Sequence, residues 1–244
     1  MDGILKQIFI GVPKTVGEQH AVNVMDREWT SAIFKEPVHG PIWVSKTGLS
    51  GDDQGDKKNH GGPEKAVFAY PSQNYLYWQK ELGKPEMTDG GMGENFVIEN
   101  MTEDAISIGD IFQVGEVIVQ VSQPRQPCWK PARRFKVKTL ALQLQTTGRT
   151  GWYFRVLQEG FVEAGQSFTL LERPFPQWKI QTCNEIIHAK TPDLQQLKEL
   201  ADCELLAPKM RTTLEERLAN GGNVDIRSRV FGPNESFENN VEKR

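Results

Sequence analysis

The sequence contains few cysteines and histidines. Its 244 residues include three cysteines, at Cys128, Cys183 and Cys203, and four histidines. No two cysteines form a CxxC pair, and an odd number of thiols argues against a disulfide framework. The scattered histidines do not supply the closely spaced ligands of a structural zinc site. We therefore expect thiols that are either packed in the core or chemically active.

An excess of charge of one sign is also missing. Twenty-nine basic residues oppose thirty-two acidic ones, for a net charge of −3. Such a balance gives no general attraction to nucleic acid or to an anionic membrane, so any basic site must be local. The apolar runs are too short to cross a bilayer, and residues 1–6 lack the features of a signal peptide. We expect a cytoplasmic protein that binds neither nucleic acid nor membrane.

Short strand-like segments separated by glycine and proline turns occupy residues 1–175. The predicted strands lie at residues 5–12, 29–34, 41–47, 65–70, 111–114, 116–121, 152–157, 161–164 and 166–172. Gly115 separates two of them and predicts a hairpin, whose second arm turns Val117, Val119 and Val121 to one face. Many short strands with turns between them indicate a β-barrel or a β-sandwich.

Two helices are predicted to interrupt these strands. One covers residues 72–82, with a serine at its start and Gly83 at its end, and the other begins near Pro131 and runs towards Gln145.

The composition changes after the proline-containing segment 173–176, which resembles a linker. Three helices are predicted beyond it, at residues 182–190, 192–203 and 208–220. The second places Leu194, Leu197 and Leu200, with Ala201, on one stripe at helical spacing. We predict a β-rich domain over residues 1–175, a small all-α module over 180–222, and a poorly ordered tail over 223–244.

Cys128 is the first candidate for chemistry, because it lies between Pro127 and the helix predicted from Pro131. The prolines restrict the direction of the thiol. The nearby basic residues favour the thiolate, which is a nucleophile and a ligand for soft metals. They are Arg125, Lys130, Arg133 and Arg134. A free cysteine is most often a small buried apolar residue, but this many cations would suit a core poorly. Cys183 and Cys203, on amphipathic helices, are predicted to be packing residues.

Three glycine-containing segments are further candidates. In the first, Gly61 and Gly62 let the backbone approach a ligand, while Lys58 and His60 add positive charge. In the second, residues 90–93 contain three glycines but match no nucleotide-binding motif. In the third, Arg149 lies between two glycines and could bind a phosphate through two hydrogen bonds. The first segment alone is more typical of a solvated surface loop, the second alone assigns no function, and the third is equally consistent with a β-hairpin turn. A hydrolase that pairs Cys128 with His60 stays open.

Taken in order, these segments resemble the MOSC domain, named for the C-terminal domain of molybdenum cofactor sulfurase. The matching stretches are 48–52, 56–62, 65–67, 93–95, 109–110 and 124–128. The helices between residues 182 and 220 resemble the three-helix module of YiiM-type members. The resemblance covers most of the chain, and Pro124-Arg-Gln-Pro-Cys128 is its most specific part. Val97 departs from the threonine of the family pattern, so we assign no role to it.

The resemblance implies a mainly β, MOSC-type barrel with a few helices and a cleft for the molybdenum cofactor, molybdopterin. Cys128 would ligate molybdenum or carry sulfur. YiiM-type members resemble reductases that detoxify N-hydroxylated bases such as 6-N-hydroxylaminopurine, with electrons from a separate flavoprotein reductase. The sequence has no flavin or nicotinamide motif of its own, which agrees with such a partner.

We therefore expect Cys128 to be the catalytic residue and the metal ligand. The expected cofactor-binding residues are Lys58, His60, Gly61, Gly62, Asn95, Arg125, Arg149 and Tyr153. Tyr70 is a weaker candidate for stacking on the pterin or the base.

Three other functions stay open at this stage. A sulfur-transfer protein would carry a persulfide on Cys128 and would need a separate pyridoxal enzyme as sulfur donor. A cofactor carrier would bind the pterin without catalysing reduction. A helix-turn-helix DNA-binding role for the C-terminal helices is disfavoured by their balanced charge, and we expect them instead to dock a partner or a second subunit.

Overall fold

The computed structural model describes residues 3–55 and 61–235, and a closed β-barrel forms its centre. The strands are β1 (Gly3–Ile10), β2 (Lys14–Val16), β3 (Trp29–Ser31), β4 (Glu36–Pro37), β5 (Ile42–Ser45), β6 (Gly48–Leu49), β7 (Val67–Pro71), β8 (Phe96–Glu99), β9 (Ile111–Val114), β10 (Val117–Pro124), β11 (Trp152–Gln158), β12 (Gly160–Val162) and β13 (Ser167–Glu172). The barrel is mixed, because β7 and β8 run parallel whereas its other neighbouring strands are antiparallel.

Seven strands close the barrel in the order β13-β9-β10-β11-β7-β8-β1, and β1 pairs with β13 through Gly3 and Phe168. Strand β4 extends the sheet beside β1, and β5, β6 and β12 form a separate three-stranded sheet. Closure leaves few unpaired strand edges in the barrel. The mainly β, barrel-like fold that the sequence predicts is confirmed.

Alternating residues of the strands fill the barrel interior. Val117, Val119 and Val121 are fully buried, as predicted, and β9 and β10 form the expected hairpin around Gly115. Phe154 of β11 packs across the interior against the buried rings of Phe112 in β9 and Phe168 in β13. Each such aromatic side chain stabilises the fold by roughly 1.5–3 kcal/mol through burial of apolar area.

Strand β8 was not predicted as a strand. Its four residues follow the glycine-rich segment 90–93, and the turn signals of that segment dominate the local sequence pattern. The strand with which it pairs, β7, lies about 27 residues earlier in the chain. The predicted strand 29–34 ends early, at Ser31, whose hydroxyl accepts a hydrogen bond from the Ile33 amide at 3.2 Å. The chain turns there towards the site described below.

The helices that interrupt the strands are α1 (Gln73–Leu82), α2 (Trp129–Phe135) and α3 (Leu140–Thr147). Gly83 ends α1 in the left-handed conformation, as its position predicts. The single helix predicted from Pro131 to Gln145 is divided, because Lys136 adopts a left-handed conformation with φ of 56°. The Lys136 ammonium lies 2.6 Å from the Asp26 carboxylate, which holds this break in place.

The C-terminal module contains α4 (Ile180–His188), α5 (Leu194–Ala201) and α6 (Pro208–Ala219). Leu197 and Leu200 are buried as predicted, but Leu194 is 46% exposed, because it lies at the first turn of α5 beside its capping residue. One buried apolar cluster extends from the barrel into these helices. The predicted boundary between the β-rich domain and the all-α module, between residues 175 and 180, stays a prediction.

Two further elements follow the module, namely helix α7 (Arg227–Val230) and a 3₁₀ turn over Gly232–Asn234. Val230 and Asn234 are fully buried. The prediction of a poorly ordered tail is therefore wrong for residues 227–234, which pack against helix α2 through contacts such as the hydrogen bonds of Asn234 with Arg133 and Trp129. Residues 236–244 lie outside the described residues. No helix within the described ranges is long and apolar enough to cross a membrane.

Candidate functional site

Cys128 lies where strand β10 gives way to helix α2. It occupies the N-cap position of the helix in an extended conformation, with φ of −120° and ψ of 172°. The thiol is partly buried. Pro127 before it and the start of α2 after it restrict the backbone on both sides, which fixes the direction of the side chain. The local sequence therefore builds a defined position for one reachable sulfur atom.

Two adjoining hollows meet at Cys128. The inner cleft includes Lys35, Asp52, Phe68, Met92, Asn95 and Arg125. The outer groove includes Gln126, Trp129, Lys209, Thr213, Ser228 and Arg229. Both are also lined by Gly55, Lys65, Cys128, Lys130 and Tyr153. The thiol therefore faces a space that continues in two directions.

Positive charge dominates these hollows. Among the described residues, their walls carry six basic side chains and two carboxylates. The basic residues are Lys35, Lys65, Lys130, Lys209, Arg125 and Arg229, and the acidic ones are Asp52 and Asp53. The excess of cations attracts an anionic ligand and favours a thiolate at position 128.

Only two of the four basic residues near Cys128 in sequence face this space, namely Arg125 and Lys130. Arg133 instead donates to the Asn234 side chain at 2.7 Å and to backbone carbonyls. Arg134 donates to the carbonyls of Ile33 and Gly90. Both arginines are therefore engaged in hydrogen bonds within the protein. The expectation that all four cations surround the thiol is wrong for Arg133 and Arg134.

Arg125 is 5% exposed, and its guanidinium lies 5.2 Å from the centre of the Phe68 ring. Its Nη1 atom is buried and has no hydrogen-bond partner among the described residues. An unpaired buried donor typically costs about 1–3 kcal/mol, and more for a charged group. A negatively charged ligand in the inner cleft would remove this cost. Arg125 therefore has a buried donor that an anionic ligand could use, and its predicted contact with a cofactor stays a prediction.

Tyr153 lines both hollows, as expected for a binding residue. Burial raises the pKa of its hydroxyl to about 12, with Arg125 opposing the shift and Cys128 adding to it. The side chain therefore stays neutral near pH 7 and adds no negative charge. Tyr70 is different, because it is fully buried and accepts a hydrogen bond from Trp78 Nε1 at 2.8 Å. Tyr70 is a core residue and does not stack in the cleft.

Asn95 lines the inner cleft, but its amide group is engaged by the protein. Its oxygen accepts from the Phe68 amide at 3.1 Å, and its nitrogen donates to the Asp52 carboxylate at 2.9 Å. Asp52 in turn pairs with Lys35, with 2.5 Å between Nζ and Oδ1. The predicted binding residue Asn95 thus fixes the wall of the cleft through a buried ion pair that sequence analysis missed.

The glycine-rich segment 90–93 also builds this wall. The buried Glu94 carboxylate accepts hydrogen bonds from the amides of Gly90 and Met92, at 2.8 and 3.1 Å, and from the Tyr75 hydroxyl at 2.6 Å. Burial raises the pKa of Glu94, whereas these donors and Arg134 oppose the shift. The two amides are therefore already used within the protein.

The structure does not bring every predicted residue to the site. The Arg149 guanidinium stacks 4.0 Å from the centre of the Tyr77 ring, and Arg149 lines neither hollow. Arg149 therefore lies away from the hollows at Cys128, and its predicted phosphate contact stays a prediction. Gly61 and Gly62 also line neither hollow, although Gly62, with φ of 97°, begins the turn that leads to Lys65. Lys58 and His60 lie outside the described residues.

Four cations at the site have no role predicted from the sequence. Lys35 and Lys65 come from loops of the barrel, whereas Lys209 comes from α6 and Arg229 from α7. No local motif marks them, because their proximity to Cys128 arises from tertiary packing. Lys65 alone lies in a stretch that matches the family pattern. Cys183 and Cys203 are buried, and burial raises the pKa of both thiols, consistent with packing roles.

Comparison with known proteins places this chain in a family. The MOSC domain model matches residues 56–169, and the model of the YiiM-like 3-alpha helix domain matches residues 180–221. Protein YiiM of Escherichia coli is 35% identical over 206 residues, which cover 83% of this chain and 91% of that protein.

Two further similarities extend this comparison. A Gibberella moniliformis protein named Reductase is 40% identical over 175 residues, covering 70% of this chain and 31% of that protein. The crystal structure of YiiM from Geobacillus stearothermophilus has a TM-score of 0.72 and 35% identity, and the match covers 88% of this chain and 99% of that one. With matches of this identity and coverage, and with both family models in the same order along the sequence, the chain belongs to the YiiM-like MOSC-domain family.

Proposed function

We propose that this protein is a molybdenum-cofactor-dependent reductase of N-hydroxylated bases such as 6-N-hydroxylaminopurine, with Cys128 as the ligand to molybdenum. One observation carries the proposal. The partly buried thiol of Cys128 lies at the junction of two hollows whose described walls carry six basic side chains and two carboxylates. Membership of the MOSC family and the similarity to a protein named Reductase support it.

The residues of the inner cleft fit this cofactor. The buried, unpartnered Nη1 of Arg125 suits an anionic group, and the rings of Phe68 and Tyr153 offer flat surfaces for a pterin. A thiolate is a soft ligand of the kind that molybdenum accepts. When bound, the cofactor would supply the two-electron chemistry that removes an oxygen atom.

The chain itself would orient the ligands and hold their charge. Arg229 donates a hydrogen bond to the carbonyl of Pro127, which steadies the residue just before Cys128. Arg125 would bind the pterin phosphate together with Lys58 and His60, which remain proposals from the sequence. Tyr153 stays neutral, so that the anion meets no repulsion from its hydroxyl.

The net reaction breaks the N–O bond of the substrate, takes up two electrons and two protons, and releases the amine and water. The sequence contains no flavin or nicotinamide motif. We therefore propose that a separate flavoprotein reductase supplies the electrons.

The proposal is tested with protein purified from a host that makes the cofactor. Conversion of 6-N-hydroxylaminopurine to adenine is followed by chromatography with reduced viologen as the electron donor, so that no partner protein is needed. Cys128→Ser is expected to lower the rate at least ~10³-fold, because it removes the metal ligand, while its unfolding curve stays unchanged. Cys203→Ala is the matched control and is expected to retain the rate per folded molecule.

Two results would contradict the reductase proposal. Unchanged turnover by Cys128→Ser would show that the thiol is not needed. Protein that contains the cofactor but reduces no N-hydroxylated base would instead favour a carrier, or a sulfur-transfer protein if intact mass after incubation with a sulfur donor shows an added sulfur on Cys128.

A further inference from the structure

The segment that follows the three-helix module packs against the helix that Cys128 begins. Asn234 accepts a hydrogen bond from Arg133 at 2.7 Å and donates one to the Trp129 carbonyl at 3.1 Å. Val230 beside it is fully buried. Residues 223–235 lie beyond both matched family models, which end at residues 169 and 221. We call these residues the C-terminal strap.

The strap brings Arg229 to the site. Its guanidinium donates to the Pro127 carbonyl and, at 3.1 Å, to the side-chain oxygen of Gln145. Burial lowers the pKa of Arg229, whereas the nearby Cys128 opposes that shift. The strap thus places a fixed, desolvated cation close to the thiol, and this arginine also lines the outer groove.

The outer groove has the chemistry of a phosphate site. Its cations come from separate parts of the chain, with Lys65 from the turn before β7, Lys130 from α2, Lys209 from α6 and Arg229 from the strap. Hydroxyl and amide side chains complete the polar lining, and no carboxylate lines it among the residues that the structure describes. Convergent cations with neutral donors bind phosphate through charge-assisted hydrogen bonds.

The inner cleft differs from this groove. Phe68 and Met92 give it apolar surface, and the Lys35–Asp52 ion pair already neutralises part of its charge. The inner cleft suits a flat ring system whose own phosphate reaches Arg125, whereas the outer groove, with four cations and no carboxylate among its described residues, suits a second phosphate. Because the two hollows meet at Cys128, a ligand in each would have one end beside the sulfur.

We propose that the outer groove binds the phosphate of the substrate, so that the preferred substrates are N-hydroxylated nucleoside monophosphates and not free bases. The reductive part of this inference rests on the proposed function, whereas the phosphate site does not. Arg229 and Lys209, which both line this groove, are its specificity-determining residues.

Calorimetric titration of the full-length protein at low ionic strength tests the site without catalysis. The probes are adenosine 5′-monophosphate, inorganic phosphate and adenine, and none of them can be reduced at an N–O bond. We expect the monophosphate to bind at least ~10-fold more tightly than adenine. Loss of one charge-assisted hydrogen bond costs about 1.5–3 kcal/mol, so Arg229→Gln and Lys209→Gln should each weaken the monophosphate about 10- to 100-fold and leave adenine unchanged.

Arg227→Gln is the matched control. It changes the same charge on the same helix, but Arg227 is exposed, pairs with Glu235 and does not line the groove. It should bind the monophosphate like the wild type. Lys209→Gln lies on α6, so its result does not depend on whether the strap of the Arg229 variant stays in place.

The same titration on protein with and without the cofactor distinguishes the two sources of phosphate. Monophosphate binding in both forms supports a substrate site. Binding that disappears when the cofactor is present, or that Arg125→Gln alone abolishes, would assign the phosphate site to the cofactor and overturn the proposal. Equal affinities for adenine and the monophosphate would also overturn it.

In the loaded enzyme, kcat/KM should favour the N-hydroxylated monophosphate over the base, and Arg229→Gln should remove that preference. If neither compound is reduced, the proposed reductase function fails, while the titration still decides the phosphate site.

Discussion

Replacing Lys35 with methionine removes one half of the buried ion pair in the wall of the inner cleft. The side chains of Lys35 and Asp52 are 6% and 2% exposed, and their charged atoms lie 2.5 Å apart. Without its partner, the Asp52 carboxylate keeps hydrogen bonds from the Gly11 amide at 2.8 Å and from Asn95 at 2.9 Å. It nevertheless becomes a buried charge without a counter-ion.

Breaking a buried pair typically costs about 3–5 kcal/mol. Because two hydrogen bonds to Asp52 remain, we expect Lys35→Met to lower the free energy of unfolding by about 3 kcal/mol. Urea unfolding followed by tryptophan fluorescence measures this change as a lower midpoint at constant slope.

Lys14→Met is the control, because Lys14 forms an exposed ion pair with Glu36 at 3.1 Å. Exposed pairs contribute about 0–1 kcal/mol. Adding Asp52→Asn to Lys35→Met removes the uncompensated charge and should recover part of the loss. Equal, small effects of Lys35→Met and Lys14→Met would refute the reasoning, since burial would then not decide the energy of the pair.

Three further predictions concern titration and thiol reactivity. Burial raises the pKa of Glu103 to about 7, so the folded chain holds this proton more tightly than the unfolded chain does. The free energy of unfolding should therefore fall as pH rises from about 4.5 to 7. Urea unfolding across this range should show that Glu103→Gln removes roughly 3 kcal/mol of this decrease. Burial, with two nearby arginines, lowers the pKa of His188 to about 3. The free energy of unfolding should therefore fall as pH drops from about 6.5 to 3. If His188→Gln shows the same decrease as the wild type, the prediction is contradicted. Native protein treated with maleimide should react at Cys128 long before Cys183 and Cys203, which are 0% and 5% exposed, as peptide mass mapping would show.

The barrel could be predicted because its signals are local. Alternation at Val117, Val119 and Val121 and the turn at Gly115 specify a hairpin without reference to distant residues. The strand β8 lacked such a signal, since its parallel partner β7 is remote in sequence. Cys128 was likewise identified from its own neighbours, because prolines and cations adjoin it in sequence.

The composition of the site beyond Cys128 could be predicted only in part. Sequence proximity placed four cations near the thiol, but whether each one faces it depends on tertiary partners. Arg133 is engaged by Asn234, about 100 residues later, and Arg149 is engaged by the Tyr77 ring. Arg229 reaches the site from a segment predicted to be poorly ordered. These outcomes depend on long-range packing that local patterns do not encode.

Ligation of molybdenum by the Cys128 sulfur can be measured by X-ray absorption at the molybdenum edge. The samples are wild-type protein and Cys128→Ser, both from a host that makes the cofactor. We expect molybdenum in the wild type with one more sulfur ligand than in the variant. Identical sulfur coordination in the two proteins, or wild-type protein that acquires no molybdenum, would contradict it.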